Sequence, residues 1–213
     1  MTSAPRPAAR RAATGLKRGL ILDAARQVFE AEGLDGASLR AIAARAGYTP
    51  AALYFHFDSK EAIYAEVLEA SIARLGAAIA AAADAAPDPA RRLGAAGLAF
   101  YRHYADNPRD LDLGFYLFRG GMKPKGLGPA RDRALNAALA AAFAPIGAAA
   151  RDLGADAETA RHVTVDAFAH AAGLLLLTHT GRIRMFDADG ERLMRDYLAA
   201  RISGLMGGTG CPS

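Results

Sequence analysis

Residues 49–60 read TPAALYFHFDSK and bring several hydrogen-bond donors into one short stretch. Thr49 has a hydroxyl group, Tyr54 and His56 have a phenol and an imidazole, and Lys60 has an ammonium group. Hydroxyl groups and free backbone N–H groups at a helix start can hold phosphate oxygens, and an ammonium group adds a full positive charge. The stretch is therefore a candidate phosphate-binding surface. Tyr54 and His56 could instead be partly exposed aromatic residues without a binding role.

Helix-start signals define the element that carries these groups. Thr49 is typical of an N-cap, and Pro50 suits the first helical position because its missing N–H would have no partner there. The helix is only about two turns long, since Ser59 caps the next helix. Before it, Ser38 caps another short helix that ends at Gly47. Two helices joined by such a tight turn with a glycine indicate a helix-turn-helix.

The chain is basic only at its front. Residues 1–60 contain nine Lys or Arg against five Asp or Glu, whereas residues 61–213 contain seventeen of each sign. A basic front on a neutral body favours a polyanionic partner for the front. A solvated basic tail is the alternative.

The remainder of the chain predicts helices and no strands, because it is rich in alanine, poor in β-branched residues and free of Trp. A first amphipathic helix runs from about Leu20 to a stop at Gly33. The predicted fold class is all-α, with three small N-terminal helices joined through a connecting helix to a larger bundle. Expected boundaries are 1–17 for a flexible basic arm, 18–64 for the helix-turn-helix domain, 65–208 for the bundle and 209–213 for a flexible tail. Later helices are expected at about 60–82, 90–106, 109–119, 128–152, 157–181 and 189–206.

Two segments resemble the N-terminal region of the tetracycline-repressor (TetR) family, namely AARQVFEAEGLDGASLRAIAARAG (24–47) and TPAALYFHFDSKEAIYAEVL (49–68). The segment GLLLLTHTGRIRMF (173–186) also resembles the penultimate helix of such proteins. The resemblance implies a homodimeric transcriptional regulator with a DNA-binding domain and a ligand-binding and dimerising bundle. Such proteins are usually repressors that a small ligand releases from their operator. The alternative is a small-molecule-binding α-helical protein, or an activator that stays bound to DNA when its ligand binds.

The resemblance gives roles to residues of the helix-turn-helix. It implies that Tyr54 and His56 contact phosphates, and we expect Leu53, Phe55 and Phe57 to pack the short helix onto its neighbours. Arg40 could reach a guanine edge or only a phosphate. The small surfaces at the start of the helix suit thymine methyl groups. The predicted DNA-binding residues are Ser38, Arg40, Thr49, Pro50, Ala51, Tyr54, His56 and Lys60.

Aromatic residues in the bundle predict a mainly apolar pocket for a small hydrophobic effector, with an aromatic compound as one option. Taken singly, most of them could equally be ordinary core. The candidate ligand-binding residues are Phe100, Tyr101, His103, Tyr104, Phe115, Tyr116, Phe118, Met122, Phe143, Phe168, His170 and Leu174.

The last two helices have more apolar residues than one bundle requires, so we expect them to form a homodimer interface. The residues concerned are Leu174 to Leu177, Leu193, Met194, Leu198, Ile202 and Leu205. A two-fold axis would then place two recognition helices on a pseudo-palindromic double-stranded operator.

Other site classes find little support in the sequence. The single cysteine, Cys211, allows neither a disulfide framework nor a cysteine zinc site within one chain. His162, Asp166 and His170 are four residues apart on one helix face, and three groups in that row span about 12 Å and cannot all bind one ion. No nucleophile–base pair or phosphate-binding glycine loop is recognisable, so we expect no enzyme, cofactor or metal. The apolar run 167–180 is too short to cross a bilayer, and a reduced cytoplasmic setting fits.

Overall fold

The computed structural model describes residues 7–115 and 126–207, with side chains over 14–114 and 126–207. Within these ranges every regular element is helical, which confirms the all-α prediction. The α-helices are α1 (Pro7–Gly36), α2 (Leu39–Ala46), α3 (Pro50–Tyr54), α4 (Lys60–Asp84), α5 (Pro89–Asp106), α6 (Pro108–Phe115), α7 (Pro129–Asp152), α8 (Ala157–His179) and α9 (Gly190–Gly207). A 3₁₀ turn, Arg182–Phe186, lies between α8 and α9.

Most helix ends follow the capping residues that the sequence predicts. The Oγ of Ser38 accepts a hydrogen bond from the backbone N–H of Ala41 at 3.1 Å. Gly47 has φ +74°, a left-handed conformation in which its N–H bonds the last carbonyls of α2. Gly33 interrupts α1 with a different non-helical conformation, at φ +69° and ψ 176°. The stops that were predicted at Gly33 and Gly47 are therefore confirmed.

Two segments differ from the sequence prediction. The helix α1 begins at Pro7, so residues 7–17 are helical where a flexible arm was expected. The segment 173–186, which was compared with one helix, divides after His179. Gly181, with φ +71°, separates α8 from the 3₁₀ turn. The sequence did not indicate this break, because a single glycine such as Gly181 also occurs inside helices.

The helices divide between two compact units. The first comprises the described residues up to Ala70 and those from Asp112 to Leu135, and the second comprises Ser71–Leu111 and the residues from Asn136 onward. In the first unit, the rings of Phe29 and Tyr64 meet edge to face at 4.8 Å. Most of the side chains that this unit buries lie between the start of α1 and the first half of α4, and they include Ile21, Val28, Ile42, Leu53, Phe57, Ile63 and Val67.

In the second unit, α5 packs against α8 and α9. Its core includes several residues that were predicted for a dimer interface, since Leu174, Leu175, Met194 and Leu198 are all buried within the unit. Those four residues are therefore used inside the chain. The helical periodicity of α8 and α9 could not show which apolar residues point inward, because apolar residues such as Leu176 and Leu193 also lie on exposed positions of these helices.

Among the described residues, one helix is long and apolar enough to cross a membrane by length and composition, namely α7. A core helix of a soluble protein passes the same test. The prediction from the run 167–180 in α8 did not extend to this helix.

Candidate nucleic-acid interface

The short helix α3 presents its start to solvent. The Oγ1 of Thr49 accepts a hydrogen bond from the backbone N–H of Ala52 at 3.3 Å, and Pro50 occupies the first turn. Thr49, Pro50 and Ala51 are exposed, while Leu53 is completely buried. Because a five-residue helix cannot be stable by itself, the burial of Leu53 is what holds the exposed start in place.

A shallow groove of about 520 Å³ lies beside this helix. It brings together Arg40 from α2, Pro50 and Tyr54 from α3 and Lys60 from α4, which are four of the eight predicted DNA-binding residues. Ser38, Thr49, Ala51 and His56 do not line it. Two carboxylates, Asp58 and Glu61, also border the groove and reduce its positive charge.

Among the basic residues of this unit, Arg40 is exposed and has no ion-pair partner within the described part of the chain. Arg26, in contrast, pairs with Glu30 at 2.8 Å one helical turn away. Arg45 donates a hydrogen bond to Gln27 at 3.2 Å. Arg40 is therefore the guanidinium on this face that is available to an external partner.

Lys60 directs its ammonium group into the protein. Its Nζ donates to the carbonyl oxygens of Leu34 at 2.8 Å, Ala37 at 3.2 Å and Asp35 at 3.4 Å. An ammonium group has three N–H donors, so these three carbonyls at the end of α1 can use all of them. In the free protein, Lys60 thus fixes the connection between α1 and α2.

The rings that follow α3 do not all pack as predicted. Leu53 and Phe57 are buried, but Phe55 is 88% exposed, so the expectation that it packs onto neighbouring helices is wrong. Residues four apart share one face of a helical segment, whereas the residue midway between them points to the opposite side. Tyr54, which is 61% exposed, and Phe55 thus present two adjacent aromatic rings to solvent.

A side chain that sequence reasoning did not single out, Arg18, binds the end of α3. Its guanidinium donates to both carboxylate oxygens of Glu66 and, at 3.0 Å, to the carbonyl oxygen of His56. The same group lies 4.3 Å from the ring centroid of Phe57. Arg18 and Glu66 are 48 residues apart, so no local spacing in the sequence could have identified this contact.

The predicted ligand-binding residues in the second unit form a closely packed aromatic cluster. The ring of Phe100 lies 4.8 Å from that of Phe143, and Phe143 lies 5.3 Å from Phe168. Phe100, Tyr101, Tyr104, Phe143 and Leu174 are buried in the core of this unit. The side chain of Phe115 and all of Tyr116, Phe118 and Met122 lie outside the described residues. The apolar character of these buried residues is therefore explained by their packing against one another in the core.

Charged and polar groups meet where α4, α5 and α6 come together. Asp110 is buried and pairs with Arg74 at 2.9 Å. Burial raises the pKa of Tyr104 to about 12, and the neighbouring Asp110 carboxylate adds to this effect. Burial also lowers the pKa of His103, which favours its neutral imidazole.

The histidine and aspartate row on α8 has other partners. Asp166 forms an ion pair with Arg201, and the ring of His170 stacks on that of Tyr197 at 4.0 Å. His162 is exposed. Over the residues with described side chains, no group of three or more His, Cys, Asp or Glu is placed to hold a metal ion.

Comparisons with known proteins agree on the fold and on the N-terminal region. Residues 21–67 match the family model described as "Bacterial regulatory proteins, tetR family". The HTH-type transcriptional activator FasR of Mycolicibacterium smegmatis is 38% identical over 85 residues, which are 40% of this chain and 39% of FasR. The alignment thus spans well under half of that relative.

Solved structures extend the similarity of fold to nearly the whole chain. A candidate transcriptional regulator from Pseudomonas aeruginosa PAO1 has a TM-score of 0.72 at 23% identity, covering 90% of this chain and 91% of that one. FadR of Bacillus subtilis, solved in complex with stearoyl-CoA, has a TM-score of 0.64 at 15% identity, covering 87% and 97%. At these identities the similarity concerns the fold.

Proposed function

Since residues 21–67 match the model of the tetR family of bacterial regulatory proteins, we propose that this protein is a homodimeric, DNA-binding transcriptional regulator of that family. In this proposal it is a cytoplasmic repressor that a small hydrophobic ligand releases from a pseudo-palindromic operator. The observation that carries the proposal is the groove beside α3. Its lining combines an unpaired guanidinium, a phenol and small apolar groups from two consecutive helices.

Residues in the groove and beside it support both positioning and reading of DNA. Arg40 is an exposed guanidinium that can make two hydrogen bonds to one guanine, and Pro50 and Ala51 offer apolar surface to thymine methyl groups. The capped helix starts at Ser38 and Thr49, with the phenol of Tyr54 and the imidazole of His56, would contact phosphates. Phe55 adds an exposed apolar ring on the same segment.

The homodimer would use the outer faces of α8 and α9. The core of the second unit takes up four of the predicted interface leucines and methionines, but Leu176 remains 61% exposed and Leu193 39% exposed. Val165, on α8, is 62% exposed as well. These three side chains are an apolar surface that a second copy could cover.

A ligand would act by shifting the population of two arrangements of the DNA-binding domains. The helix α4 contributes residues to both compact units and thus offers a continuous connection for this shift. The stearoyl-CoA bound to B. subtilis FadR supports a lipophilic class of effector. The second candidate function is activation, which the similarity to the activator FasR favours.

A mobility-shift experiment with the DNA upstream of the gene tests the proposal. We expect Arg40→Ala to weaken operator binding by about 1–3 kcal/mol if Arg40 reads a guanine. An equal loss on random DNA would show that Arg40 only contacts the backbone. Arg26→Ala is the matched control, because Arg26 is already paired with Glu30. Failure of the wild-type protein to bind any duplex at low ionic strength would refute the proposal.

A further inference from the structure

Exposed apolar side chains concentrate around the connection between α8 and α9, residues 181–189, which we call the α8–α9 turn. Ten large apolar side chains are exposed in the described part of the chain, and four of them lie within residues 176–193. Met185 is 78% exposed and Phe186 71% exposed, both on the turn itself. Leu176 lies in the last turn of α8 and Leu193 in the first turn of α9. A single chain rarely exposes neighbouring large apolar groups without a partner, so this end of the α8–α9 pair is a candidate contact surface.

Contacts beneath the α8–α9 turn fix its shape. Ile183 is buried in the core of the second unit. A Cβ on Gly190 would overlap the hydroxyl oxygen of Tyr101, so only glycine allows α9 to begin this close to α5. Asp187 has φ +47°, a left-handed conformation that aspartate adopts more readily than most residues. Because the turn is held from below and at its end, its exposed side chains are preorganised, and covering them costs little conformational entropy.

The charged groups of the α8–α9 turn are of both signs. Arg182, Arg184 and Asp187 are all exposed, and none of them has an ion-pair partner within the described part of the chain. Asp189 has a separate role, since its carboxylate accepts a hydrogen bond from the backbone N–H of Arg192 at 2.7 Å. Residues 181–189 contain two Arg and two Asp and therefore carry no net charge. Free groups of both signs can pair with free groups of the opposite sign on another molecule.

A second copy of this chain is the occupant that these features favour. A two-fold axis brings the same patch of both copies into contact, so the patch must be complementary to itself in charge. The turn meets this condition, because an arginine of one copy can face Asp187 of the other. An anionic membrane would instead favour a turn with an excess of positive charge. The turn is also continuous with the outer faces of α8 and α9, where Leu176 and Leu193 belong to the proposed homodimer surface.

We propose that the α8–α9 turn is part of the homodimer interface, where the second copy covers Met185 and Phe186 and its Asp187 pairs with Arg182 or Arg184. The inference rests on the homodimer of the proposed function and adds the segment that selects the partner. The helix faces supply apolar area, which many helical proteins share. The charge pattern of the turn distinguishes an identical chain from other chains, because a different sequence would place like charges opposite each other.

Sedimentation velocity of the full chain with fluorescence detection, from nanomolar to micromolar concentration, measures the dissociation constant of the dimer. We expect Phe186→Ser to raise this constant at least about tenfold, because large aromatic side chains buried at an interface contribute strongly to affinity. Leu16→Ser is the matched control, since Leu16 is also 71% exposed but lies on α1 in the first unit. Circular dichroism first shows that each variant is folded. A folded Phe186→Ser variant with the dissociation constant of wild type would overturn the inference.

Charge variants test the pairing between the two copies. Arg182→Glu would place two carboxylates opposite each other, and we expect it to raise the dissociation constant about three- to tenfold, because the pair occurs twice across a two-fold axis. Addition of Asp187→Asn removes one of these carboxylates and suits the left-handed conformation, so it should restore part of the affinity. Arg133→Glu, at an exposed position of α7 in the first unit, is the control for the change in net charge. The pairing is wrong if Asp187→Asn has no effect in the Arg182→Glu background.

The outcomes separate this inference from the proposed function. A wild-type protein that sediments as a monomer at every concentration refutes the homodimer, and the inference fails with it. A dimer that Leu176→Glu dissociates and Phe186→Ser leaves intact refutes the inference alone. Cosedimentation of wild type, but not of Phe186→Ser, with phosphatidylglycerol vesicles would assign the turn to a membrane and contradict the inference. A mobility shift of the same variants on duplex DNA reports DNA binding separately from all of these results.

Discussion

Removal of the Arg18 guanidinium should loosen the end of α3. Arg18→Met keeps most of the aliphatic stem but deletes the hydrogen bonds to Glu66 and to the carbonyl of His56, together with the contact to the Phe57 ring. The side chains of Arg18 and Glu66 are 39% and 31% exposed, so solvent screens the ion pair. Because the variant touches no predicted DNA-contacting side chain, its effect on DNA would pass through the position of α3.

The expected loss of stability can be assembled from these contacts. A screened two-point ion pair contributes about 1 kcal/mol or less. The bond to the His56 carbonyl contributes about 1 kcal/mol and the contact with Phe57 about 0.5 kcal/mol. Release of the side chain into water returns part of this sum as conformational entropy. We therefore expect Arg18→Met to lower the free energy of unfolding by about 1–2 kcal/mol.

Urea denaturation measures this loss, and a double-mutant cycle with Glu66→Gln isolates the ion pair, for which we expect a coupling of about 0.5–1 kcal/mol. Operator affinity should fall about fivefold, which corresponds to about 1 kcal/mol. Arg26→Met, in the Arg26–Glu30 pair on α1, is the control for loss of one ion pair elsewhere in the same unit. Wild-type stability of Arg18→Met, or a coupling of zero to Glu66, would refute the reasoning.

Three further changes have defined outcomes. Hydrogen bonds from Arg102 and Arg195 lower the pKa of Glu191 to about 2. The stabilisation from the Glu191 carboxylate is therefore present above its unfolded-state pKa of about 4.3 and is lost as the pH falls towards 2. In thermal melts at pH 7, Glu191→Gln should be less stable than wild type by about 1 kcal/mol or less, and at pH 2 the two proteins should melt at nearly the same temperature. Burial raises the pKa of Tyr104 to about 12, so the folded state should lose stability as the pH rises from about 10 towards 12, and Tyr104→Phe should reduce this alkaline loss in thermal melts. Leu176→Glu should convert the proposed homodimer to monomers in sedimentation velocity with wild-type helicity, and an unchanged sedimentation coefficient would contradict the assigned interface.

The helices could be predicted from the sequence because their ends depend on local chemistry. Ser38, Gly47 and Thr49 act within a few residues of themselves, and the structure shows each at the cap that its type predicts. The all-α fold class could likewise be predicted, because helix propensity is a property of the individual residue types. Contacts between distant residues carry no such local signal, and the position of Arg18 beside Glu66 and His56 was accordingly missed.

The side chains of the candidate sites were harder to predict because residue type does not determine orientation. Phe55 and Phe57 differ by two positions, yet one is exposed and the other buried, since residues two apart in a helical segment point to different sides. In the bundle, the aromatic residues suggested a pocket but fill the space between the helices themselves. A cleft between α4, α5 and α9 is lined instead largely by alanines, among them Ala82, Ala95 and Ala199, and such small side chains give no sequence pattern that distinguishes a cavity from close packing.

The three backbone carbonyls that accept hydrogen bonds from Lys60 weaken the attraction between its ammonium group and a nucleic acid. Any phosphate that approaches this ammonium competes with Leu34, Asp35 and Ala37 for the same three protons. The binding free energy from this contact is the difference between the ammonium–phosphate and the ammonium–carbonyl hydrogen bonds. It is therefore smaller than the free energy that a solvated lysine gains from a phosphate. Counting basic residues along the front of this chain consequently overstates the number of counterions that its association with DNA would displace.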